Sequence, residues 1–205
     1  MVRPLRRAKQ ILLATSLSRR TETKINLCSG QQDIPGYIGI DKFPGADVVL
    51  DLDRNDLPFA DNSLDTVVCM SAINYFTRQR GEQLIVETYR VLKPGGIARF
   101  GVQDLESISQ RYVVKDDEFF FQKLPDGRER FEGPTRGDKF AAWFYGYPID
   151  GVPCRYFYDY ESLAYLFSKA GFSRIEQRKY MESNLEQIKL IDNRADQMFF
   201  LEATK

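Results

Sequence analysis

Histidine is absent from all 205 residues. That removes the commonest side-chain general base near neutral pH and the commonest transition-metal ligand together. Any chemistry must therefore run on carboxylates, tyrosine, lysine or positioning alone, and no metal site is expected. Cysteine is scarce: Cys28, Cys69 and Cys154 are odd in number and lack a paired spacing. A disulfide framework is excluded on that ground, and a reducing, cytoplasmic setting is expected. Net charge is also missing, with 29 basic and 29 acidic residues, so no global field gathers nucleic acid or anionic membrane, and no nucleic-acid partner is expected. No apolar run approaches the ~18 residues that a membrane span needs. The length suits one domain, residues 1–205, able to bury a substantial core.

The informative stretch runs over residues 24–101. Lys24-Ile25-Asn26-Leu27 leads into Cys28-Ser29-Gly30, and two further runs, Tyr37-Ile38-Gly39-Ile40-Asp41 and Asp47-Val48-Val49-Leu50-Asp51-Leu52, are rich in β-branched residues. Each of these two ends near a carboxylate, as a buried strand opening onto a cleft does. Leu64-Asp65-Thr66-Val67-Val68-Cys69-Met70 reads as a fourth strand and 97–102 as a fifth. Between them, Thr77 caps a helix whose Leu84, Ile85, Thr88, Val91 and Leu92 share one buried face. Its charged residues, among them Arg80 and Arg90, read as a solvated surface. Lys93-Pro94-Gly95-Gly96 is expected to end that helix through a left-handed glycine cap.

Leu57-Pro58-Phe59-Ala60-Asp61-Asn62-Ser63-Leu64-Asp65 and Tyr89-Arg90-Val91-Leu92-Lys93-Pro94-Gly95-Gly96, with Ala170-Gly171-Phe172 later on, make the chain resemble a class I S-adenosylmethionine-dependent methyltransferase of the small-molecule branch. The resemblance covers residues 24–104 and, more loosely, 157–205. It implies an α/β Rossmann-like fold with a seven-stranded, mostly parallel sheet and an antiparallel last strand. It also implies S-adenosylmethionine as cofactor. One departure is structural: only seven residues, 30–36, separate the first two strands, whereas a parallel crossover normally takes a dozen or more. A first crossover helix reduced to a turn or two is expected, with a hairpin as the alternative.

The resemblance carries onto particular positions. The turn Leu27-Cys28-Ser29-Gly30 stands where the family has its glycine-rich cofactor loop, although only Gly30 matches a glycine and Asn26 replaces the usual acid. Asp41 stands at the ribose-binding position; its alternative is a surface aspartate opening the turn Lys42-Phe43-Pro44-Gly45. Phe43 or the stem of Lys42 could lie against adenine, or simply pack. Asp51 with Leu52 matches the adenine-edge position. Ser71 and Asn74, after the fourth strand, are expected to line the methionine end. Asp104, past the fifth strand, is the first choice for a substrate-facing base, with helix capping as its alternative. Tyr156 joins it as a catalytic candidate, and Tyr145 and Arg155 are candidate substrate contacts.

Residues 113–156 mix Phe119-Phe120-Phe121, Trp143-Phe144-Tyr145 and four arginines. Such an insertion is either a lid or a subunit interface, which admits a homo-oligomer built through it. The basic segment 1–23, with its short apolar patch Ile11-Leu12-Leu13-Ala14, reads as an amphipathic lead-in helix that covers a sheet edge, or else attaches to membrane. The tail 161–205 returns to a helix closed by Gly171 and two last strands. Asp192-Asn193-Arg194-Ala195-Asp196-Gln197 resembles methyltransferases associated with surface polysaccharide and glycoside assembly. The expected function is methyl transfer to an oxygen or nitrogen of a small molecule, such as a sugar, glycoside or anionic metabolite. The rival is a degenerate fold acting as a non-catalytic partner protein, and a nicotinamide enzyme is a weaker rival because Gly30 stands alone.

Overall fold

The computed structural model describes residues 22–205, so the expected lead-in helix falls outside the described residues but for its last two positions. Seven strands form one sheet: β1 (Lys24–Leu27), β2 (Tyr37–Asp41), β3 (Val48–Val49), β4 (Leu64–Met70), β5 (Leu92–Gln103), β6 (Arg174–Arg178) and β7 (Met198–Thr204). Their order is β3-β2-β1-β4-β5-β7-β6. β1 pairs in parallel with both β2 and β4, β4 with β5, and β2 with β3, while β7 runs antiparallel between β5 and β6. This is the expected seven-stranded sheet with an antiparallel last strand.

The parallel β1–β2 pair excludes the hairpin alternative. The crossover is shorter than expected: no helix forms between the two strands, only turns closed by Gln32 N–H on Ser29 C=O and Tyr37 N–H on Ile34 C=O. Pro35 and Gly36 leave no room for a helical nucleus.

Two layers of apolar side chains flank the sheet. One face packs on α1 (Arg78–Val91) and α5 (Tyr160–Ala170), where Leu84, Ile85, Val91, Leu163, Leu166 and Phe167 meet Ile25, Leu27, Val67 and Phe100. Thr77 caps α1 as expected, its side chain accepting from Arg80 N–H. The C-terminal end differs from expectation. Leu92 leaves the helix directly in an extended conformation, so the glycines do not cap it; Gly95, at φ +80°, instead lies in an irregularity where β5 slips in register against β4. Arg80 and Arg90 also correct the reading of a solvated helix face. Arg80 Nε donates to Leu52 C=O at 2.7 Å, and Arg90 donates to Leu57 and Phe59 C=O, so α1 fastens the loop that follows β3.

The other face is thinner, because the missing crossover helix would have covered it. Val68, Met70, Tyr37 and Phe200 are covered there by Leu185 and by Ile191 of the short α6 (Ile188–Ile191). That cover is fastened by Arg99 of β5, fully buried, whose Nε and Nη2 donate to both carboxylate oxygens of buried Asp192 at 2.8 and 2.6 Å. Lys179 and Glu182 carbonyls and Glu202 take the remaining guanidinium hydrogens. The segment 105–156 builds α2 (Leu105–Val113), α3 (Asp117–Phe120) and α4 (Arg136–Tyr145) around its own core of Ile108, Phe119, Phe120, Phe131 and Trp143.

Because Arg99 has no access to water, removing Asp192 leaves its buried charge facing Glu202 alone, at 3.2 Å, with two guanidinium hydrogens unmatched. Asp192→Ala is expected to lower unfolding stability by about 3–5 kcal/mol, read from urea denaturation. Pairing it with Arg99→Met should recover a large part of that loss; additive losses in the double variant would contradict the account.

Candidate functional site

A cleft of about 430 Å³ opens where β1, β2 and β4 end and the chain leaves β3. Its size is ordinary for a small-molecule site. Cys28 and Gly30 come from the turn after β1, Asp41 to Phe43 from the end of β2, Leu50 to Arg54 from the chain past β3, and Met70 to Ala72 from the end of β4. Ile149, Asp150 and Val152 reach over it from the insertion.

Asp41 organises one end. It is buried, and its Oδ2 accepts from Gly30 N–H at 2.9 Å while Oδ1 accepts from Phe43 N–H at 3.1 Å. One carboxylate thus ties the first turn to the second, and each oxygen keeps a further acceptor position for a hydroxyl. Gly30, at φ +57°, would have nothing within 4 Å of a Cβ, so its backbone faces open space on the cleft side. Asp51 accepts from Asp53 N–H and pairs with Arg54, which pins the loop after β3. Leu50, Leu52 and Phe43 give apolar wall. A buried acid with spare acceptor positions, an open glycine turn and apolar walls suit the sugar and base of a nucleoside cofactor.

Cys28 adopts φ +54° and lines the cleft. Burial, then the nearby Cys69 and Asp41, hold its thiol well above the usual range. It is therefore a neutral wall, not a nucleophile. Burial likewise pushes the Tyr75 phenol up.

Of the residues singled out from sequence, Cys28, Gly30, Asp41, Lys42, Phe43, Asp51, Leu52, Ser71 and Arg155 line the cleft. Leu27 and Ser29 are buried behind the turn, Ser29 N–H bonding Ile40 C=O. Four others are not brought there. Asp104 caps α2, accepting from Ser107 N–H at 3.1 Å, and burial raises its carboxyl above the usual range; it lies against Ile108, Arg111 and Trp143 instead. Tyr156 packs on the ring of Tyr158 and the main core. Asn74 is fully buried, its amide donating to Tyr156 C=O at 3.0 Å, so it positions the chain carrying Arg155. Tyr145 is exposed at the end of α4 and meets Phe157. Helix capping and core packing absorb these polar groups locally, which sequence spacing does not reveal.

Arg155 was expected to meet substrate, yet it pairs with Asp53 at 3.1 Å across the cleft mouth. Lys42 pairs with Asp150 at 3.4 Å, and Tyr75 donates to Tyr147 C=O at 2.8 Å. These three contacts draw a hairpin over the cleft that sequence reasoning missed. Its signal was present: Asp150-Gly151 between the bridged Ile149 and Val152, with both φ values positive, is a tight hairpin turn. Nothing in that dipeptide shows where the hairpin docks.

Residues 30–100 match the model of the methyltransferase domain family. The chain is 31% identical, over 63% of its length, to a ubiquinone/menaquinone biosynthesis C-methyltransferase, UbiE, from Desulfotalea psychrophila, and 28% identical over 60% to a demethylmenaquinone methyltransferase from Lactiplantibacillus plantarum. It spans about half the length of these curated relatives, 48% and 47%. A S-adenosylmethionine-dependent methyltransferase from Thermotoga maritima shares the fold, with a TM-score of 0.50 and 19% identity over 96% of this chain and 88% of that one. Residues 30–100 are thus similar to the methyltransferase domain family, and the sheet shares its fold with a solved methyltransferase structure. Among the described residues no helix is long and apolar enough to cross a membrane, and no cluster of three or more candidate metal ligands occurs.

Two predictions follow from the side-chain environments. Asp104→Ala should cost about 1 kcal/mol through the lost cap and leave ligand binding in the cleft unchanged; thermal melts and calorimetry read the two separately. All three thiols are raised by burial, that of Cys69 to about 12. A disulfide reagent at pH 8 should therefore find no fast-reacting cysteine in the folded chain and three after denaturation. The reaction should quicken only as pH climbs past the ordinary thiol range.

Proposed function

We propose that this chain binds S-adenosylmethionine in the cleft at the strand ends and transfers its methyl group to a small-molecule acceptor. The observation that carries the reading is Asp41: a buried carboxylate at the end of β2 that closes the glycine turn and keeps spare acceptor positions facing the cleft. Asp41 would hold the ribose hydroxyls, Asp51 and Leu52 the adenine edge, and Phe43 with Leu50 the adenine face. Bound S-adenosylmethionine supplies a methyl already activated on a sulfonium.

The protein's contribution is alignment and exclusion of water. The hairpin over the cleft, drawn down by Arg155–Asp53 and Lys42–Asp150, supplies the exclusion. The carboxylates that line the cleft are all committed: Asp41 to two backbone amides, Asp51 to Arg54, Asp53 to Arg155 and Asp150 to Lys42. With histidine absent and Asp104 capping a helix, no side chain among the described residues of the cleft is placed as an uncommitted base. This favours an acceptor that ionises readily by itself, such as a phenol, enol or carboxylate, over a plain alcohol. The relative from Desulfotalea psychrophila is named as a C-methyltransferase, and a carbon flanking an ionised enol or phenol meets the same requirement. Among sugars, an acidic sugar with its carboxylate fits better than a neutral glycoside.

Titration calorimetry with S-adenosylmethionine tests the reading. Micromolar binding is expected, weakened at least about tenfold by Asp41→Ala, since a hydrogen bond to a charged group is worth about 1.5–3 kcal/mol. A folded chain that binds no S-adenosylmethionine, or binds it equally well without Asp41, would overturn it.

A further inference from the structure

On the reading just given, the base of the cofactor lies along Leu50, Leu52 and Phe43. Leu50 and Leu52 are buried, but this wall is not closed: Phe43 lines the cleft and is still 37% exposed. Across the mouth, Ile149 of the hairpin lines the same cleft and is 40% exposed, with Val152 lining it too. Apolar area left open to water on both sides of one cleft is what a flat ligand covers on binding.

The hairpin is tied down on both sides of this apolar pair. At its tip Asp150 pairs with Lys42 at 3.4 Å, and the Lys42 ammonium lies 4.8 Å over the ring of Phe43. At its outgoing end Arg155 pairs with Asp53 at 3.1 Å. Lys42 directly precedes Phe43 and Asp53 directly follows Leu52, so both ties end beside the wall assigned to the base. Between them, Ile149 N–H donates to Val152 C=O at 2.9 Å and Val152 N–H donates back to Ile149 C=O at 3.0 Å. That exchange keeps the two apolar residues together. The incoming arm is fastened separately, by Tyr75 donating to Tyr147 C=O past the end of β4.

We propose that this hairpin is the outer wall of the nucleoside site: Ile149 and Val152 lie on the base opposite Leu50 and Leu52, and the Lys42–Asp150 and Arg155–Asp53 pairs hold them where they reach it. The insertion then contributes to the cofactor's grip directly, beyond keeping water out. Ile149 and Val152 are the contact residues, while the four charged residues act through them by position.

The test uses two probes that share the nucleoside and differ in the tail: S-adenosylhomocysteine, whose amino-acid tail is charged, and 5′-methylthioadenosine, which is uncharged. Each is titrated by calorimetry into the full chain, an Ile149→Ala, Val152→Ala double variant, an Asp150→Asn, Arg155→Gln double variant, and Asp41→Ala. The hairpin tip is exposed, and a cooperative melt above the assay temperature would show that each variant remains folded. Removing the two apolar side chains is expected to weaken both probes by the same factor, roughly 5- to 30-fold, through the area no longer covered. Raising salt from about 0.05 M to about 0.5 M should weaken the uncharged probe about threefold in the full chain, by screening the two pairs, and should have no effect in the Asp150→Asn, Arg155→Gln variant. If the Ile149, Val152 variant binds both probes as the full chain does, or weakens S-adenosylhomocysteine alone, the hairpin is not the wall of the base and the inference fails; weakening by Asp41→Ala would then still support the cofactor reading. A salt response that is absent from the full chain, or that persists without the pairs, overturns the role given to them. Binding of neither probe by the full chain removes the cofactor reading and this inference with it.

Discussion

The buried pair of Arg99 and Asp192 is the constraint from which the rest of this molecule follows. A guanidinium without access to water is tolerated only when its hydrogens are matched and its charge is met. Asp192 meets it through two bonds, Glu202 adds a second carboxylate, and two main-chain carbonyls from the loop after β6 complete the set. Those partners come from three places in the C-terminal quarter, so satisfying one side chain of β5 folds that whole quarter onto the sheet. Val68, Met70 and Phe200 would otherwise be covered only in part, since the short β1–β2 connection contributes Ile34 alone to their cluster. Gln32 closes the arrangement from the other side by donating its amide to Leu190 C=O. A polar network buried this deeply fixes one arrangement of the segment, where an apolar contact alone would allow sliding.

Sheet and helices were legible in the sequence because their signals are local and redundant. Val, Ile and Leu runs of four to seven residues, Thr77 before an amphipathic stretch and Gly171 after another each report one element, and the structure places strands and helices there. The capping of α1 was misread because Pro94-Gly95-Gly96 looks like a helix stop from sequence alone, while the helix has already ended in extended backbone at Leu92. Arg80 and Arg90 were misread for a related reason: helical spacing shows which face a charge occupies but not that a loop 25 to 33 residues away turns its carbonyls toward it. Within the cleft, residues on strand ends such as Asp41 and Asp51 were legible, because parallel strands deliver their carboxyl ends to one rim. Asp104 and Asn74 follow the same rule in sequence, and Tyr145 and Tyr156 are candidates from the aromatic insertion; caps or packing take all four elsewhere. The hairpin at Asp150-Gly151 reaches the cleft only through tertiary contacts, and no spacing announces it.

Charge in the cleft follows a consistent pattern. Aspartates on the strand ends would repel one another and any anionic acceptor if left bare, yet each lining aspartate is matched by backbone amides or by a basic side chain. Two of those basic partners bridge between the cofactor half and the insertion, so the same bonds that neutralise the cleft also draw its cover into place. Surface ion pairs of this kind are individually weak, so they hold this cover far less firmly than a buried network would. The deep Arg99 network and the shallow Arg155 and Lys42 pairs therefore differ by burial: the first keeps the C-terminal segment fixed against the sheet, and the second holds the hairpin by weaker, half-exposed contacts. A firmly fixed floor under a lightly held cover fits the proposed reading, in which alignment and not a base carries the chemistry.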